Sequence, residues 1–300
     1  VQYWDWDFPS PGGIEYARYD SVDAAAADLR ELLVDSVRLQ LRADVPVGAY
    51  LSGGLDSSIV TSVIKNFTDV PLRTFSVSFE DAEFDESSHQ KELVRYLGTR
   101  HTQVHCTMAD ISAAFPKTIW HAESAILRTA PTPLMLLSGK VREEGYKVVL
   151  TGEGADEVFG GYDIFKEAKV RRFCARFPES TMRPRILERL YPYLKHSPTA
   201  ARAFAQRFFS QDREHMNEPF YGHIPRWSAT RRIWQFFSDD TQQLLGGWDP
   251  YKAIAASLPA EIDRWAPLNR DQYIEAHTLM SGYLLCSQGD RVAMANSVEG

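Results

Sequence analysis

Three hundred residues, 44% of them hydrophobic and 24% charged, suffice for one large packed domain or two smaller ones. No apolar run approaches the roughly 18 residues of a membrane span, and a formal net charge of -7 argues against a nucleic-acid partner. Three scattered cysteines, Cys106, Cys174 and Cys286, provide neither a disulfide framework nor a metal-ligand spacing, which suits reduced thiols in a cytoplasmic protein.

Residues 1–20, rich in Pro, Gly and aromatics, read as a connector. Asp20 and Ser21 offer an N-cap to a helix from Val22 to about Leu41, with Ala25, Leu29, Leu32, Leu33 and Val37 on its inward stripe. Val47–Leu51 suits a buried strand. A glycine-rich turn follows, then a helix from Ser57 to about Phe67 with Ile59, Val60, Val63 and Ile64 inward. The alternation repeats: strand Arg73–Phe79, helix Glu86–Leu97 ended by Gly98, strand His101–Cys106, helices around Ala109–His121 and Pro133–Glu144, and strand Lys147–Thr151. This order predicts an α/β fold, a doubly wound parallel sheet with helices on both faces. It occupies residues 21–170, and a mostly helical C-terminal lobe occupies 171–300.

Within that pattern His101 and His105 fall on one face of a strand and read as structural. The arginines Arg171, Arg172, Arg183, Arg185, Arg231 and Arg232 read as scattered solvated charges, the stretch Trp227–Phe237 as helical core, and Asp290 with Arg291 as a structural pair.

Two loops carry the chemistry. Leu51-Ser52-Gly53-Gly54-Leu55-Asp56-Ser57-Ser58 sits where a buried strand hands over to a helix, and backbone N–H groups at such a junction bind anions. Gly53 and Gly54 let the main chain approach phosphate oxygens, and Ser52, Ser57 and Ser58 supply hydroxyls. Asp56 would repel phosphate and makes sense as a Mg²⁺ ligand. The Gly-Lys-[Ser/Thr] ending of a Walker loop is absent. The second loop, Thr151-Gly152-Glu153-Gly154-Ala155-Asp156-Glu157, again joins a strand to a helix. If the two strands flank the reversal of strand order, both loops face one crevice, and Asp56 and Asp156 can share a Mg²⁺. Glu157 reads equally as a helix N-terminal cap.

The first loop resembles the SGGxDS pyrophosphate loop of the ATP pyrophosphatase superfamily, an adenine nucleotide alpha hydrolase-like fold. Residues 151–162 resemble the SGEGSDEVFGGY motif of asparagine synthetase B-type enzymes, and residues 289–299 are similar to that family's DRMSMAHSVEA segment. Tyr3-Trp4-Asp5 resembles the linker after the family's N-terminal glutaminase domain. The resemblance implies ATP and Mg²⁺ as cofactors. It implies adenosine contacts from Leu51, Val77, Thr151 and Gly152, Glu153 as the group that serves in forming and aminating an acyl-adenylate, and Arg128 as a neutraliser of phosphate charge.

The implied reaction is aspartate to asparagine through β-aspartyl-AMP, with ammonia delivered by a glutaminase domain expected in the full-length protein; a homodimer is compatible with it. The chain stops before the family's RVPFLD end and its downstream catalytic lysine, so it reads as truncated there. The nearest rivals are a β-lactam synthetase-like enzyme, a lasso-peptide cyclase or a surface-polymer amidotransferase. A tRNA-modifying sulfur transferase or lysidine-type ligase would predict a basic surface and cysteine pairs, and a non-catalytic ATP-binding module is a third class.

Overall fold

The structure is a computed structural model that describes residues 3–12, 18–81, 85–191, 207–210 and 212–300. Its contacts divide the chain into two compact units: Tyr19–Ala155 with His277–Gly300, and Val1–Arg18 with Asp156–Ala276.

The first unit is α/β. Its elements run α1 (Val22–Gln40), β1 (Val47–Tyr50), α2 (Leu55–Phe67), β2 (Arg73–Phe79), α3 (Ser87–Leu97), β3 (Arg100–Cys106), α4 (Met108–Ala122), α5 (Pro131–Glu143) and β4 (Val148–Leu150). The four strands are all parallel in the order β3-β2-β1-β4, with Ala49 opposite Thr74 and Leu150. Short apolar strands alternating with helices need crossovers, and these place helices on both faces. The period-2 alternation divides the core accordingly. Ala49 and Leu150 pack with Val34, Val37, Val63 and Ile64 of α1 and α2. Tyr50, Phe75 and Val149 face the other way, onto Leu137 and Val141 of α5.

Local signals end the elements where the physics expects. The Ser21 hydroxyl accepts from the Ala24 amide and caps α1. Thr107 and Asp110 form a reciprocal capping box on α4, and Gly98 closes α3 at φ 61°. The inward stripe of α1 is displaced from the expected one: Leu29 and Leu32 are exposed while Val34 and Val37 are buried, because α1 meets α2 through Val34, Val37 and Leu41. Ile59 is likewise exposed, and α2 buries Thr61, Val63 and Ile64.

His277–Gly300 also belongs to this unit, where a helical lobe to residue 300 was expected. A long π-helix (Ala276–Asp290) leads into α12 (Arg291–Met294), whose Ala293 packs with Val298 against α5. Glu299 then pairs with β4: the Val149 amide donates to the Glu299 carbonyl at 2.9 Å and the Glu299 amide to the Lys147 carbonyl at 2.8 Å. Arg291 donates to the carbonyl of Ala122, rather than pairing with Asp290.

The second unit has no strand among its described residues. It comprises α6 (Ala155–Phe159, begun by the last residue of the first unit), α7 (Asp163–Ala175), α8 (Ile224–Arg231), α9 (Asp239–Leu245), α10 (Pro250–Ser257) and α11 (Pro267–Glu275), with short 3-10 turns between. Its core joins Phe220, Tyr221, Ile224, Ile262, Trp265, Tyr273 and Ile274. Part of the segment read as a connector meets this core: Trp6 and Phe8 pack against it, and the Tyr273 hydroxyl donates to Asp5 at 2.9 Å.

Two arginines read as solvated are buried here. Arg171, 1% exposed, donates to the carbonyls of Phe209 and Tyr221 and lies 4.0 Å over the Tyr221 ring. Arg172 grips Asp271 with two hydrogen bonds of 2.6 and 3.1 Å. Carbonyls, a carboxylate and a π-face replace the water each charge gives up. In the aromatic stretch Trp227 does join the core, but Ile233 and Phe236 are exposed. No described helix is long and apolar enough to cross a membrane. The three cysteines are free, and burial raises the Cys106 thiol to about 11.

Candidate active site

The strand order reverses between β1 and β4, since β2 and β3 lie on one side of β1 and β4 on the other. Crevices for ligands open at the carboxyl ends of strands at such a point, and both sequence-predicted loops leave from there. Leu51 is fully buried and its amide donates to the Phe75 carbonyl at 2.8 Å.

The first loop is braced by its own hydroxyls. The Ser52 amide donates to Ser57 Oγ at 3.2 Å, the Ser52 and Ser57 hydroxyls are 2.9 Å apart, and the Gly54 amide donates to Ser52 Oγ at 3.2 Å. The Ser58 hydroxyl donates to the Gly54 carbonyl at 2.6 Å. Gly53 sits at φ 93°, a conformation that favours glycine. Gly54 is the N-cap of α2 and makes no side-chain cap bond. The positive end of α2 therefore carries no internal anion surrogate apart from Asp56 in its first turn.

The second loop touches the first. A Cβ added at Gly152 would lie 2.8 Å from the Ser57 amide nitrogen and 3.0 Å from Asp56 Cβ, so the bare main chain of Gly152 rests on the first turn of α2. The Glu153 amide donates to Thr151 Oγ1 at 3.4 Å, and the Glu153 side chain is exposed. Gly154, at φ 92°, lies under the Met280 sulfur of the π-helix.

The same π-helix holds Arg128. Arg128 Nε donates to Gln288 Oε1 at 3.2 Å and its guanidinium lies 5.9 Å from the centre of the Tyr283 ring. The neighbouring Leu127 amide donates to the Tyr283 hydroxyl at 3.3 Å, and Ser124 and Ser287 hydroxyls meet at 2.8 Å. Val77 lies on β2, packed at the edge of the core, with its carbonyl accepting from Gln90. The two loops are thus brought together, and the π-helix touches both the second loop and the Arg128 segment. Sequence reasoning passed over Gln90, Met280, Tyr283 and Gln288, for each is an ordinary residue of a helical pattern whose partner is far away in the chain.

Asp156 opens the second unit, in the first turn of α6. Its Oδ1 occupies the place a Cβ on Gly161 would need, so the glycine of the following turn makes room for the carboxylate. Glu157, in the first turn of α6, is fully buried and accepts from the Tyr162 hydroxyl at 3.1 Å. His101 and His105 are structural as expected: His101 contacts Thr74 and Ser76, burial lowering its pKa, and His105 contacts Ser78. Among the described residues no three His, Cys, Asp or Glu side chains gather into a metal cage. A site of one or two carboxylates such as Asp56 suits Mg²⁺ carried on substrate phosphates, and the glycine at 152 lets the acidic loop's main chain lie directly against the turn that carries Asp56.

A family model described as Asparagine synthase matches residues 28–300. The chain belongs to the asparagine synthase family. Its relatives include "Asparagine synthetase [glutamine-hydrolyzing] 1" of Bacillus subtilis, 30% identical over 280 residues, which are 92% of this chain and 41% of the relative. "Asparagine synthetase B [glutamine-hydrolyzing]" of Escherichia coli is 37% identical over 168 residues, 50% of this chain and 30% of the relative. "Amidase chry2" of Gibberella zeae is 27% identical over 321 residues, 99% of this chain and 46% of the relative. The chain spans less than half the length of each of these relatives. The B-type asparagine synthetase resemblance and the ATP pyrophosphatase-like fold read from the two loops both hold at the level of the family.

Proposed function

We propose that this chain is the ATP-dependent amide-forming part of an asparagine synthetase-type ligase. The observation that carries the reading is the contact of Gly152 with the first turn of α2, which joins a serine–glycine loop and an acidic loop at the switch point of the sheet. In the reaction an acyl carboxylate oxygen attacks the α-phosphorus of ATP, the bond from that phosphorus to the bridging oxygen breaks, and pyrophosphate leaves. Ammonia then attacks the acyl carbon, loses a proton, and displaces AMP.

The chain's own groups have separate tasks. The amides of Gly53 and the start of α2 bind phosphate oxygens, and Ser52, Ser57 and Ser58 hold the loop in shape for them, Ser52 Oγ taking the Gly54 amide. Main-chain groups of Leu51, Val77, Thr151 and Gly152 receive the adenosine. Asp56, in the first turn of α2, is the carboxylate that would hold Mg²⁺, which when bound neutralises charge on the departing pyrophosphate. Glu153 takes the proton from the incoming ammonium, and Arg128, held by Gln288 and Tyr283, offsets phosphate charge. Aspartate is the proposed acyl substrate, with ammonia from a glutaminase domain of the full-length protein in the cytoplasm.

The relative called an amidase aligns with nearly the whole chain, and it favours a second reading in which the acyl substrate differs, as in a β-lactam synthetase-like enzyme, a cyclase or a surface-polymer amidotransferase. Exchange of labelled pyrophosphate into ATP, measured in the full-length protein with a panel of carboxylates, separates the two. Exchange that depends on aspartate supports the first reading, and exchange with another carboxylate alone supports the second. No exchange with any carboxylate defeats both.

A further inference from the structure

Gln90 lies on α3, is 2% exposed, and makes four hydrogen bonds through one carboxamide. Its Nε2 donates to the Ser52 carbonyl at 3.0 Å and to the Val77 carbonyl at 3.1 Å. Its Oε1 accepts from the Ser76 hydroxyl at 2.9 Å and from Gln103 Nε2 at 2.9 Å. A carboxamide has two N–H donors and one oxygen with two lone pairs, so the group is saturated and its orientation is assigned by its partners. The Ser76 hydroxyl is in turn 3.0 Å from His101 Nε2, and His101 Nδ1 is 2.9 Å from the Thr74 hydroxyl, so the acceptor side is backed by β2 and β3. The stem of Gln90 also carries the turn: a Cβ at Gly53 would stand 3.3 Å from Gln90 Cγ.

The two carbonyls Gln90 grips belong to different segments. Ser52 starts the loop proposed to wrap the phosphates, and Val77 is the β2 residue proposed to meet the adenosine. We propose that Gln90 is a positioning residue for nucleotide binding, fixing the phosphate-facing and adenosine-facing main chains to one another through a single side chain that touches no substrate. The inference rests on the reading of this crevice as the ATP site. Neither an aliphatic nor an ionised carboxylate side chain can replace it, because both lack the donors; buried carbonyls left without them either lose a hydrogen bond outright or move to find another.

The test is ATP titration by calorimetry, with thermal denaturation alongside, on the wild-type protein, Gln90→Leu, Gln90→Glu and Gln103→Leu. Gln103→Leu strips a donor from the acceptor side of the same carboxamide and leaves both carbonyl bonds in place, so it controls for simple loss of a buried hydrogen bond. Gln90→Leu and Gln90→Glu are each expected to weaken ATP binding about ten-fold or more, and Gln103→Leu, which lowers the melting temperature less, by less than about two-fold. Gln90→Glu keeps the shape if Gln90→Leu does not fold. Equal weakening by the Gln90 and Gln103 variants, or a Gln90 variant that melts earlier yet binds ATP as the wild type does, overturns the inference alone. A wild-type protein that binds no ATP removes the reading of the crevice and this inference with it.

Discussion

Replacing Gly152 by alanine tests the contact on which the functional reading stands. The new methyl carbon would begin 2.8 Å from the Ser57 amide nitrogen and 3.0 Å from Asp56 Cβ. That is roughly 0.6 Å inside ordinary van der Waals contact, and both opposing atoms belong to a helix turn that cannot swing aside as a side-chain tip would. Overpacking of this kind costs about 1–3 kcal/mol, which for a chain of this size lowers the melting temperature by roughly 2–4 °C per kcal/mol. The kinetic loss should be larger than the stability loss suggests, since a displacement approaching 1 Å at a phosphate-binding turn can cost on the order of 10²-fold in rate. Pyrophosphate–ATP exchange in the full-length Gly152→Ala protein is expected to fall about ten- to a hundred-fold at a temperature where it is folded. Gly282→Ala on the π-helix is the matched control, because a Cβ there meets nothing within 4 Å. Wild-type exchange and an unchanged melting temperature in Gly152→Ala would refute the close approach of the two loops.

Three further outcomes are expected. Glu153→Gln should bind ATP normally while its amide synthesis from ammonia falls about 10²–10⁴-fold, the span of a positioned general base; calorimetry that shows lost ATP affinity instead would assign Glu153 to binding. Asp271→Ala leaves the Arg172 guanidinium buried without its bidentate partner and should cost about 3–5 kcal/mol in urea denaturation, whereas Arg172→Met with Asp271→Leu should cost much less; similar costs for the two proteins would show that shape rather than charge dominates there. The His101 pKa is held below its ordinary 6.5 by burial, so below that pH the unfolded chain takes up a proton that the folded one refuses. Its contribution to stability is therefore complete above 6.5 and is lost as the pH falls, and His101→Gln should flatten the stability curve between about pH 7 and 5; an unaltered slope would place the titration elsewhere.

Much of the α/β unit was legible in the chain because its signals are local. Apolar runs such as Val47–Leu51 and Lys147–Thr151 end in glycine-bearing turns, and amphipathic helices fill the intervals, so strand order and the facing loops follow from topology rules. What stayed hidden depends on partners far off in sequence. Nothing near Arg171 or Arg172 foretells that Tyr221 and Asp271 will enclose them, and surface exposure is the better guess for any arginine. Trp6 and Phe8 sit in a stretch with connector composition, yet two aromatic rings bury enough apolar surface to bind it to the Trp265–Tyr273 core. Glu299 joins β4 through main-chain bonds, which carry no side-chain signature at all. In the site, the loops announced themselves by glycine and serine, whereas Gln90 was invisible: a single buried amide on α3 looks like any polar residue until its four partners are in place.

The Ala276–Asp290 helix has one more implication. Wide π turns are rare, and here one such run carries Met280 to Gly154, Tyr283 to Leu127 and Gln288 to Arg128. Were it to rewind as α, each successive contact would rotate further from its mate, and all three would be lost in concert. The acidic loop and the Arg128 segment thus rest on one and the same helix.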